Sequence, residues 1–458
     1  MDFQLIIIGS GPGGYVAAVR AAKLGIKTAV VEKAPHLGGT CLNVGCIPSK
    51  ALLASSEHFH YASHRFASHG IKTSGLEIDV PAMMKRKDGV VDSLRKGIEY
   101  LFKSNQITRL VGTGSFVDAH TVAVTDAEGK ATTHTADNIL IATGSVPASL
   151  PGIDIDGQQI ITSDQALALD HVPGSILVIG AGAIGLELGS VWSRLGAKVD
   201  IIEFLPRIAA GFDMELSKSL QKMFEKQGLT FHLNTKVQVA RRTEGKVTLT
   251  ALQDGKEKHF EAETLLVAVG RKPFTEGLNL SAAGISTDER GRIPVDEQWR
   301  TSAPHIRAVG DVTAGPMLAH KAEAEGTAAV ERIAGQAGSV NADLIPNVIY
   351  TSPEAASVGL TEEQLKESDI PYRTGKHSFL ANGRARAVDQ TDGFVKLLTH
   401  AETDRLLGAH IISSNASELI AECVAVMAFS GSSEDLARTI HAHPTMAETI
   451  KEAAQHLL

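Results

Sequence analysis

The sequence predicts an α/β protein with two doubly wound parallel sheets, followed by a C-terminal α+β domain. Two observations predict the sheets: a short buried strand, a glycine-rich turn and a helix occur near the N-terminus, and the same succession occurs again from residue 176. A third observation predicts the last domain, because beyond residue 340 the chain has short strands and a long apolar helix without another glycine-rich turn. Strands that alternate with helices are typical of parallel sheets, and 458 residues suffice for about three domains.

The first strand, turn and helix predict a dinucleotide site. The apolar run Leu5–Ile8 leads into a turn that carries Gly9, Gly11 and Gly14, and the strand after the helix ends at Glu32. Glycines at these positions permit a tight turn and a close approach of phosphates, while the N-terminus of the helix favours negative charge. The carboxylate at the end of the second strand is placed to accept hydrogen bonds from a ribose.

The second succession repeats the first at the same internal spacing. Ile176–Ile179 leads into Gly180, Gly182 and Gly185, and the next strand ends at Glu203. The alternative, two glycine turns without ligands, does not account for the matching positions of the turn, the helix end and the acid. The sequence therefore predicts two doubly wound, dinucleotide-binding (Rossmann-like) domains.

Later strands and a linker indicate where these domains end. Glycine-terminated strands run to Gly144 and to Gly270, and a linker with proline and glycine lies at 147–152. A buried strand that ends at Asp311 follows, and we expect its carboxylate to hold a ligand rather than to cap a helix. We predict four parts: a dinucleotide-binding domain at 1–148, a second one at 149–272, a central segment at 273–340 and the C-terminal domain at 341–458.

Two of the three cysteines lie close together after the first glycine turn. Cys41 and Cys46 are separated by four residues, whereas Cys423 is distant in an apolar run. A pair at this spacing can open and close a disulfide while the fold is unchanged. A structural bridge across so small a loop would remove little chain entropy, and a zinc site would need more Cys or His ligands nearby. Redox use is favoured, and a structural bridge or half of a zinc site is the alternative.

The C-terminal part has the pattern of an antiparallel sheet with a covering helix. Strands are predicted at 348–351, 393–399 and 406–412, and an apolar helix at 416–429. The uniformly apolar character of this helix favours burial against a partner chain.

A short segment near the C-terminus holds candidate acid–base residues. His441 and His443 are followed by Thr445 and Glu448. Thr445 with Glu448 also fits a capping box, and both histidines fit ordinary surface residues. The spacing alone therefore leaves catalysis undecided.

Composition and charge limit the expected partners and location. The chain has 44 basic and 52 acidic residues and a net charge of −8, so a nucleic acid is not expected as a partner. No apolar run approaches membrane-spanning length, and the first predicted strand begins within a few residues of Met1, which argues against a signal or transit peptide. A small number of cysteines is typical of a reducing compartment, and we expect the cytoplasm.

The segment from Thr40 to Lys50 resembles the redox-active disulfide of the pyridine nucleotide-disulfide oxidoreductases. It reads Thr-Cys-Leu-Asn-Val-Gly-Cys-Ile-Pro-Ser-Lys, and its ending, Ile47–Lys50, is most similar to the dihydrolipoamide dehydrogenase branch. The resemblance implies a homodimeric flavoprotein in which the Cys41–Cys46 disulfide and FAD oxidise protein-bound dihydrolipoamide and reduce NAD+ to NADH. The implied partners are lipoyl domains of 2-oxoacid dehydrogenase acyltransferases or the carrier protein of glycine cleavage.

The same resemblance implies roles for individual residues. His443 would be the general base for the substrate thiols, Glu448 would orient it, and Lys50 near the flavin would pair with Glu187. The residues implied to bind FAD are Gly9, Gly11, Gly14, Glu32, Lys33, Thr40, Lys50, Gly114, Thr143, Gly144, Ser145, Asp311, Met317, Leu318, Ala319 and His320. Those implied to bind NAD are Gly180, Gly182, Ala183, Ile184, Gly185, Glu187, Glu203, Val237 and Gly270. No metal is expected.

Two other functions are compatible with parts of the pattern. A disulfide reductase of the glutathione reductase type would use NADPH and would need basic residues near the second ribose, where Glu203 and Phe204 stand. A flavoprotein that acts only as a scaffold would be favoured by the loss of Cys41, Cys46 or His443, and all three are present. Ala183, Phe274 and Ser352 depart from common family residues, and Ala183 bears on access of the nicotinamide.

Overall fold

The computed structural model describes residues 1–458, which form two units. The first unit comprises Met1–Ala51, Pro81–Ala148 and Gly270–Val340. The second comprises Leu52–Val80, Ser149–Val269 and Asn341–Leu458. The predicted four-part division is finer than this and stays a prediction.

The strands, in chain order, are β1 (Phe3–Ile8), β2 (Thr28–Glu32), β3 (Thr108–Val111), β4 (Thr113–Phe116), β5 (Thr121–Thr125), β6 (Ala131–Ile141), β7 (Ser145–Pro147), β8 (Ile160–Ile161), β9 (Ser175–Ile179), β10 (Lys198–Ile202), β11 (Thr230–His232), β12 (Thr235–Thr243), β13 (Lys246–Gln253), β14 (Lys256–Ala262), β15 (Thr264–Val267), β16 (Arg271–Pro273), β17 (Ile306–Ala308), β18 (Asn347–Ile349), β19 (Glu354–Gly359), β20 (Tyr372–Ser378), β21 (Phe394–His400) and β22 (Leu406–Ser413).

The helices are α1 (Pro12–Lys23), α2 (Gly39–Val44), α3 (Cys46–His64), α4 (Val80–Ser104), α5 (Ser163–Ala166), α6 (Ala183–Arg194), α7 (Met214–Lys226), α8 (Ala319–Ile333), α9 (Glu362–Glu367), α10 (Gly383–Ala387), α11 (Ala416–Ala428), α12 (Ser433–Arg438) and α13 (Glu448–Gln455). Short 3-10 turns lie at Phe66–His69, Leu280–Ala283, Gly310–Val312, Ala342–Leu344 and Phe379–Ala381. None of the helices has the length and apolar character needed to cross a membrane.

The sheet of the first unit has the order β3-β2-β1-β6-β5-β4, with β17 also paired to β6. The strands β3, β2, β1, β17 and the second half of β6 are parallel, while the first half of β6 is antiparallel to β5. Leu5 and Ile7 pack into the core on one face, and Ile6 and Ile8 pack into the core on the other. The continuous apolar run is explained by this burial on both faces, which is typical of parallel sheets.

The second unit contains a parallel sheet of the order β11-β10-β9-β15-β8. A three-stranded antiparallel sheet, β12-β13-β14, lies in the chain between β11 and β15 and shares an apolar core with the parallel sheet. A five-stranded sheet of the order β18-β19-β22-β21-β20 is antiparallel throughout, and α11 and α13 contribute to its core.

A buried ion cluster lies between α7 and the C-terminal sheet, within the second unit. Lys396 is 1 % exposed, and its Nζ donates to both carboxylate oxygens of Asp213 at 3.0 and 3.1 Å and to Glu362 at 2.6 Å. A buried cation requires such close anionic partners, because without them its charge would be left unpaired away from water.

The predicted fold class is confirmed: both doubly wound sheets and the antiparallel C-terminal sheet with its long helix are present. Several elements were not predicted. The three strands β12–β14 follow the second acid, and β19 and β20 complete the C-terminal sheet.

Candidate active site

Cys41 and Cys46 lie on two consecutive helices that follow the first strand, glycine turn, helix and second strand. Cys41 is on α2, and α3 begins at Cys46. The chain enters α2 through Gly38 and Gly39, which have φ of 102° and 58° and so adopt conformations that favour glycine. A Cβ on Gly39 would lie 2.5 Å from Cα of Gly11. The helix with Cys41 therefore docks directly against the glycine turn.

Asn43, between the two cysteines, fixes the helix α2. Its Nδ2 donates to the carbonyl oxygens of Leu37 at 3.1 Å and Gly39 at 2.8 Å. Its Oδ1 accepts a hydrogen bond from Nε of Arg95 on α4 at 2.6 Å. Each of these contacts restrains the backbone that carries Cys41.

Both cysteines are thiols in the structure, and a hydrogen bond joins their side chains. This bond, burial and the nearby charges of Cys46 and Glu323 raise the pKa of Cys41, whereas Lys50 lowers it. The reduced pair therefore favours a proton on Cys41. Cys423 is different, because it is fully buried in the C-terminal core, where burial raises its pKa.

Two of the three predicted binding glycines in the first turn are required by the protein's own packing. Gly9 has φ of 103°, and a Cβ there would lie 2.4 Å from the carbonyl oxygen of Ala142. A Cβ on Gly14 would lie 2.0 Å from the carbonyl oxygen of Gly9. Gly11 is different, since its Cβ would meet only Cα of Gly39, at 3.9 Å. Space at Gly11, beside a helix N-terminus without a side-chain cap, fits a phosphate group.

The second turn repeats this arrangement. Gly180 has φ of 104°, and its Cβ would lie 2.5 Å from the carbonyl oxygen of Ala268. A Cβ on Gly185 would lie 2.0 Å from the carbonyl oxygen of Gly180, whereas one on Gly182 would meet nothing within 4 Å. No side chain caps α6, which begins at Ala183. Both turns thus leave room at the middle glycine, where a dinucleotide would approach.

Each predicted ribose-binding acid also braces its own turn. Glu32 accepts hydrogen bonds from the backbone N–H and the hydroxyl of Ser10, at 3.0 and 2.6 Å, and from the N–H of Ala34 at 2.8 Å. Glu203 accepts from the N–H groups of Ala181 at 2.7 Å and Leu205 at 2.8 Å. A carboxylate has about four acceptor positions, so both acids retain capacity for a ribose hydroxyl.

Asp311 belongs to a polar network in the first unit. It lies in the 3-10 turn after β17, and its Oδ2 accepts the hydroxyl hydrogen of Ser145 at 2.6 Å. Arg271 donates from Nε to the Ser145 hydroxyl at 2.7 Å and from Nη2 to Thr40 at 3.4 Å. The structure thus brings three predicted FAD residues together through Arg271, which was not predicted. An arginine directly after the glycine-terminated strand is the sequence signal for it.

A buried ion pair supports the turn that carries Asp311. Lys321 is 3 % exposed, and its Nζ donates to Glu325 at 3.0 Å and to the carbonyl oxygen of Gly310 at 3.2 Å. Glu325 also accepts from the N–H of Gly310 at 2.8 Å. Both residues are on α8, four positions apart, and neither was predicted.

Phe274, one of the departures from the family pattern, contacts predicted FAD residues. The Nζ of Lys33 lies 3.7 Å from the centre of the Phe274 ring, a cation–π contact. The Thr143 hydroxyl donates to the carbonyl oxygen of Phe274 at 2.6 Å. The Phe274 ring therefore packs against a predicted FAD residue, Lys33.

His443 and Glu448 are brought together in the second unit. The Nδ1 of His443 lies 2.8 Å from Oε1 of Glu448, and the imidazole is 78 % exposed. The N–H of Thr445 and the contact with His443 lower the pKa of Glu448. The Thr445 hydroxyl donates to the carbonyl oxygen of Ala442 at 2.8 Å, so the reciprocal capping box does not form. His441 instead contacts Glu422, at 2.7 Å.

The remaining predicted residues occupy defined positions, and their roles stay predictions. Within the first unit, Gly114 is in β4, Gly144 follows β6, Lys50 is in the first turns of α3, Met317 and Leu318 precede α8, Ala319 and His320 begin it, and Gly270 precedes β16. Within the second, Ile184 is in the first turn of α6, Val237 lies at an irregularity of β12, and Glu187 is buried and accepts the N–H of Tyr350 at 3.0 Å. Gly270 thus lies in a different unit from the other predicted NAD residues.

Comparison with protein families gives two matches. The profile described as pyridine nucleotide-disulphide oxidoreductase matches residues 3–326. The profile of the dimerisation domain of the pyridine nucleotide-disulphide oxidoreductases matches residues 345–454. Together they span nearly the whole chain.

Individual proteins and solved structures are similar over the full length. A mitochondrial dihydrolipoyl dehydrogenase from Pisum sativum is 52 % identical over 98 % of this chain and 90 % of its own. A dihydrolipoamide dehydrogenase from Chaetomium thermophilum is 52 % identical over 99 % and 90 %, and a leghemoglobin reductase from Glycine max is 50 % identical over 98 % and 87 %. The crystal structure of LpdA from Mycobacterium tuberculosis has a TM-score of 0.93 at 28 % identity and covers 99 % of this chain and 100 % of its own.

Proposed function

Because the chain belongs to the pyridine nucleotide-disulphide oxidoreductase family, we propose that it is the enzyme that oxidises protein-bound dihydrolipoamide to lipoamide and reduces NAD+ to NADH. Its close homologues are dihydrolipoyl dehydrogenases at about half identity over nearly the full chain. The observation that carries the proposal is the Cys41–Cys46 pair, held on two consecutive helices, the first of which packs against the first glycine turn.

The sulfur chemistry is a thiol–disulfide exchange. A substrate thiolate attacks Sγ of Cys41 in the oxidised pair, the bond to Cys46 breaks, and Cys46 leaves with the electron pair as a thiolate. The second substrate thiolate then attacks the sulfur of the substrate that is bound to Cys41, closes the lipoamide ring and releases Cys41. Two electrons pass from the dithiol to the cysteine pair, and the two substrate thiols give up their protons.

His443 is the proposed acceptor of these protons. Glu448 has a lowered pKa and is ionised at neutral pH, so it can only accept a hydrogen bond from Nδ1 of His443. The imidazole is thereby held with Nε2 as the basic nitrogen, and the carboxylate stabilises the imidazolium that forms. An exposed imidazole can reach a thiol that is presented by another molecule.

The two glycine turns fit FAD in the first unit and NAD in the second. Bound there, FAD would supply the two-electron chemistry that links the reduced cysteine pair to NAD+. The chain contributes room for phosphates at Gly11 and Gly182, uncapped helix N-termini, and the acids Glu32 and Glu203 for ribose hydroxyls. Asp311, oriented by Ser145, supplies a further acceptor in the first unit.

Glu203 also distinguishes this proposal from the glutathione reductase alternative. Glu203 directly follows β10, and its carboxylate would repel a 2′-phosphate of NADPH at this position. The exposed neighbour Phe204 brings no positive charge.

We propose that the enzyme acts as a homodimer on lipoyl domains of 2-oxoacid dehydrogenase or glycine cleavage systems. The family dimerisation domain at 345–454 supports the dimer. Phe429 and Ile440, which follow α11 and α12, are 87 % and 93 % exposed, and such apolar side chains favour contact with a second copy. Each active site would then combine Cys41 of one chain with His443 of the other.

The cytoplasm is the proposed location. A catalytic cysteine pair and one buried cysteine fit a reducing compartment. Several relatives are named as mitochondrial proteins. Microscopy of the full chain carrying a C-terminal fluorescent tag tests the proposal, and signal confined to an organelle would contradict it.

A coupled assay tests the proposed reaction. Purified protein with FAD should form one NADH for each dihydrolipoamide that is oxidised, and it should leave glutathione disulfide with NADPH almost unchanged. The opposite preference would replace the proposal with a glutathione reductase function. No turnover with either pair of substrates, in a protein that holds FAD, would favour the scaffold hypothesis.

A further inference from the structure

A buried asparagine side chain, that of Asn382, joins the segment of His443 to the start of α10. Asn382 directly precedes α10 and is 3 % exposed. Its Oδ1 accepts the N–H of Ala385 at 2.9 Å and so caps this helix. Its Nδ2 donates to the carbonyl oxygen of Thr445 at 3.0 Å and to the hydroxyl oxygen of Thr449 at 3.0 Å. One amide thus connects segments that are 63 and 67 residues apart along the chain.

The helix cap alone does not require an amide. Serine and aspartate cap helices as well as asparagine does, because a cap needs only a side-chain oxygen. An amide adds two N–H groups, and both have an acceptor here. The reverse orientation would bring the NH2 group against the N–H of Ala385 and the amide oxygen against the carbonyl of Thr445. The surroundings therefore fix the orientation, and the two donated hydrogen bonds are what the amide of Asn382 adds to the cap.

Both acceptors lie beside the contact between His443 and Glu448. The N–H of Thr445 donates to Oε2 of Glu448 at 2.8 Å, and Oε1 lies 2.8 Å from Nδ1 of His443. Thr449 follows Glu448 in the first turn of α13 and is fully buried. Because the imidazole is 78 % exposed, packing does little to hold the ring. The backbone at Thr445 and the first turn of α13 therefore decide where the carboxylate meets the ring.

We propose that Asn382 is a positioning residue for the base, which keeps Nδ1 of His443 at Glu448 and leaves Nε2 to take the substrate proton. The inference rests on the proposed function of His443. The amide fixes the carbonyl of Thr445, whose own N–H holds the carboxylate, and it fixes the first turn of α13 through Thr449. A neutral imidazole without the carboxylate contact distributes its single proton over both nitrogens, and a protonated Nε2 cannot accept another proton.

Other contacts hold the rest of α13, so the role of Asn382 is local. A Cβ on Gly375 of β20 would lie 2.2 Å from the carbonyl oxygen of Ala453. Nδ1 of His456, directly after the helix, lies 2.7 Å from the carbonyl oxygen of Lys376. These contacts tie the second half of α13 to β20 without Asn382. We therefore expect loss of the amide to loosen the first turn of the helix and the segment before it, while the helix stays in place.

The test removes the amide and keeps the cap. Asn382→Ser retains an oxygen for the N–H of Ala385 but cannot donate to both threonines. Its kcat for dihydrolipoamide oxidation should be at least about fivefold lower, the effect of about one lost hydrogen bond. Oxidation of NADH by ferricyanide, which needs no substrate thiol, should be nearly unchanged. Asn341→Ser is the matched control, because Asn341 caps a 3-10 turn through the N–H of Asp343 at 3.0 Å, and it should keep both activities.

NMR reports the position of the proton on the ring without turnover. Histidine labelled with a magnetic nitrogen isotope is incorporated into the FAD-loaded protein, and His443 is assigned by comparison with His443→Gln. At alkaline pH, the wild type and Asn341→Ser should carry the proton on Nδ1 and have a bare Nε2, whereas Asn382→Ser should show both tautomers. Thr449→Val, which removes one of the two acceptors, should show the same change to a smaller extent.

The outcomes separate this inference from the proposed function. A wild-type proton position in folded Asn382→Ser, an equal change in Asn341→Ser, or an equal loss of ferricyanide turnover would overturn the role of Asn382. Should Asn382→Ser fail to fold, Thr449→Val decides, and a wild-type proton position there would overturn the role. A wild-type protein that does not oxidise dihydrolipoamide would refute the proposed function, while the tautomers would still show whether Asn382 positions the ring.

Discussion

The two glycine turns share their local chemistry but are followed by different structures. In both, the first glycine has φ near 103°, the third glycine lies too close to a carbonyl for a side chain, and an acid accepts the N–H of the residue after the first glycine. After Glu32, the chain forms α2 and returns Gly39 to Gly11. After Glu203, no helix begins before Met214, and Gly182 stays open.

This difference shows which part of each unit specifies the chemistry. The turn, helix and acid fit the proposed dinucleotide in both units, because backbone N–H groups and one carboxylate are suited to binding phosphates and ribose hydroxyls. The segment after the acid adds a cysteine pair to the first turn only. The cysteine pair is thus carried by helices that follow the acid, whereas the turn, helix and acid are alike in both units.

Removing either cysteine of the first unit should have the largest effect on turnover. Cys41→Ser and Cys46→Ser should each lower dihydrolipoamide oxidation at least about a thousandfold, because an exchange needs both sulfurs. FAD binding should persist in both variants, since serine is nearly the same size. The control Cys423→Ala should retain turnover. Substantial activity in either serine variant would contradict the disulfide relay.

Alanine in place of the third glycine of each turn should affect FAD binding and NADH binding independently. Gly14→Ala and Gly185→Ala each place a Cβ 2.0 Å from a carbonyl oxygen. We expect Gly14→Ala to lose FAD and Gly185→Ala to keep FAD while it loses NADH binding, as measured by absorbance and calorimetry. Loss of FAD in both variants would contradict separate sites.

The middle glycine of the second turn provides the matched control. Gly182→Ala meets no protein atom, so its unfolding free energy should change by no more than about 1 kcal/mol. Its KM for NADH should still rise, because the Cβ occupies the space left for phosphate. An unchanged KM would show that NAD does not approach Gly182.

Glu203 should set the choice of nucleotide. The ratio of kcat/KM for NADH over NADPH should be about a hundredfold or more, because the carboxylate binds a hydroxyl and repels a phosphate. Glu203→Gln should lower this ratio. A weaker hydrogen bond from the Ala181 N–H to residue 203 should also weaken NADH binding. Comparable values for both nucleotides in the wild type would revive the glutathione reductase alternative.

Dimers that combine two different inactive chains should recover part of the wild-type activity. Chains with Cys41→Ser and chains with His443→Gln should each be inactive alone, and random exchange should restore about a quarter of wild-type activity, since half of the dimers are mixed and each has one intact site. Verified exchange without recovery would show that the base and the cysteines act within one chain.

Features that repeat locally in the sequence could be predicted, and long-range contacts could not. Gly9, Gly14 and Glu32 were found because a strand, turn, helix and second strand follow one another along the chain. The contact of Arg271 with Ser145 joins distant segments, as do the Lys396–Asp213 pair and the approach of Gly39 to Gly11. No periodicity indicates such partners, because burial and topology decide them.

Two smaller differences between the predicted and the observed structure also arise because local patterns do not reveal long-range contacts. The strands β12 and β14 alternate only weakly and expose many charged residues, so their pattern did not stand out as part of a sheet. Thr445 and Glu448 have capping-box spacing, yet Glu448 itself begins α13 and contacts His443. In that segment, a local hydrogen-bond rule competed with a contact that only the folded chain reveals.

The most direct test of the account is to count the thiols that the substrate creates. The oxidised, FAD-loaded protein is mixed anaerobically with one equivalent of dihydrolipoamide per chain, alkylated in denaturant and mapped by mass spectrometry, with a substrate-free sample as the reference. One equivalent of lipoamide is expected, with Cys41 and Cys46 newly labelled and with Cys423 labelled equally in both samples. Formation of lipoamide while Cys41 and Cys46 stay unlabelled would contradict it.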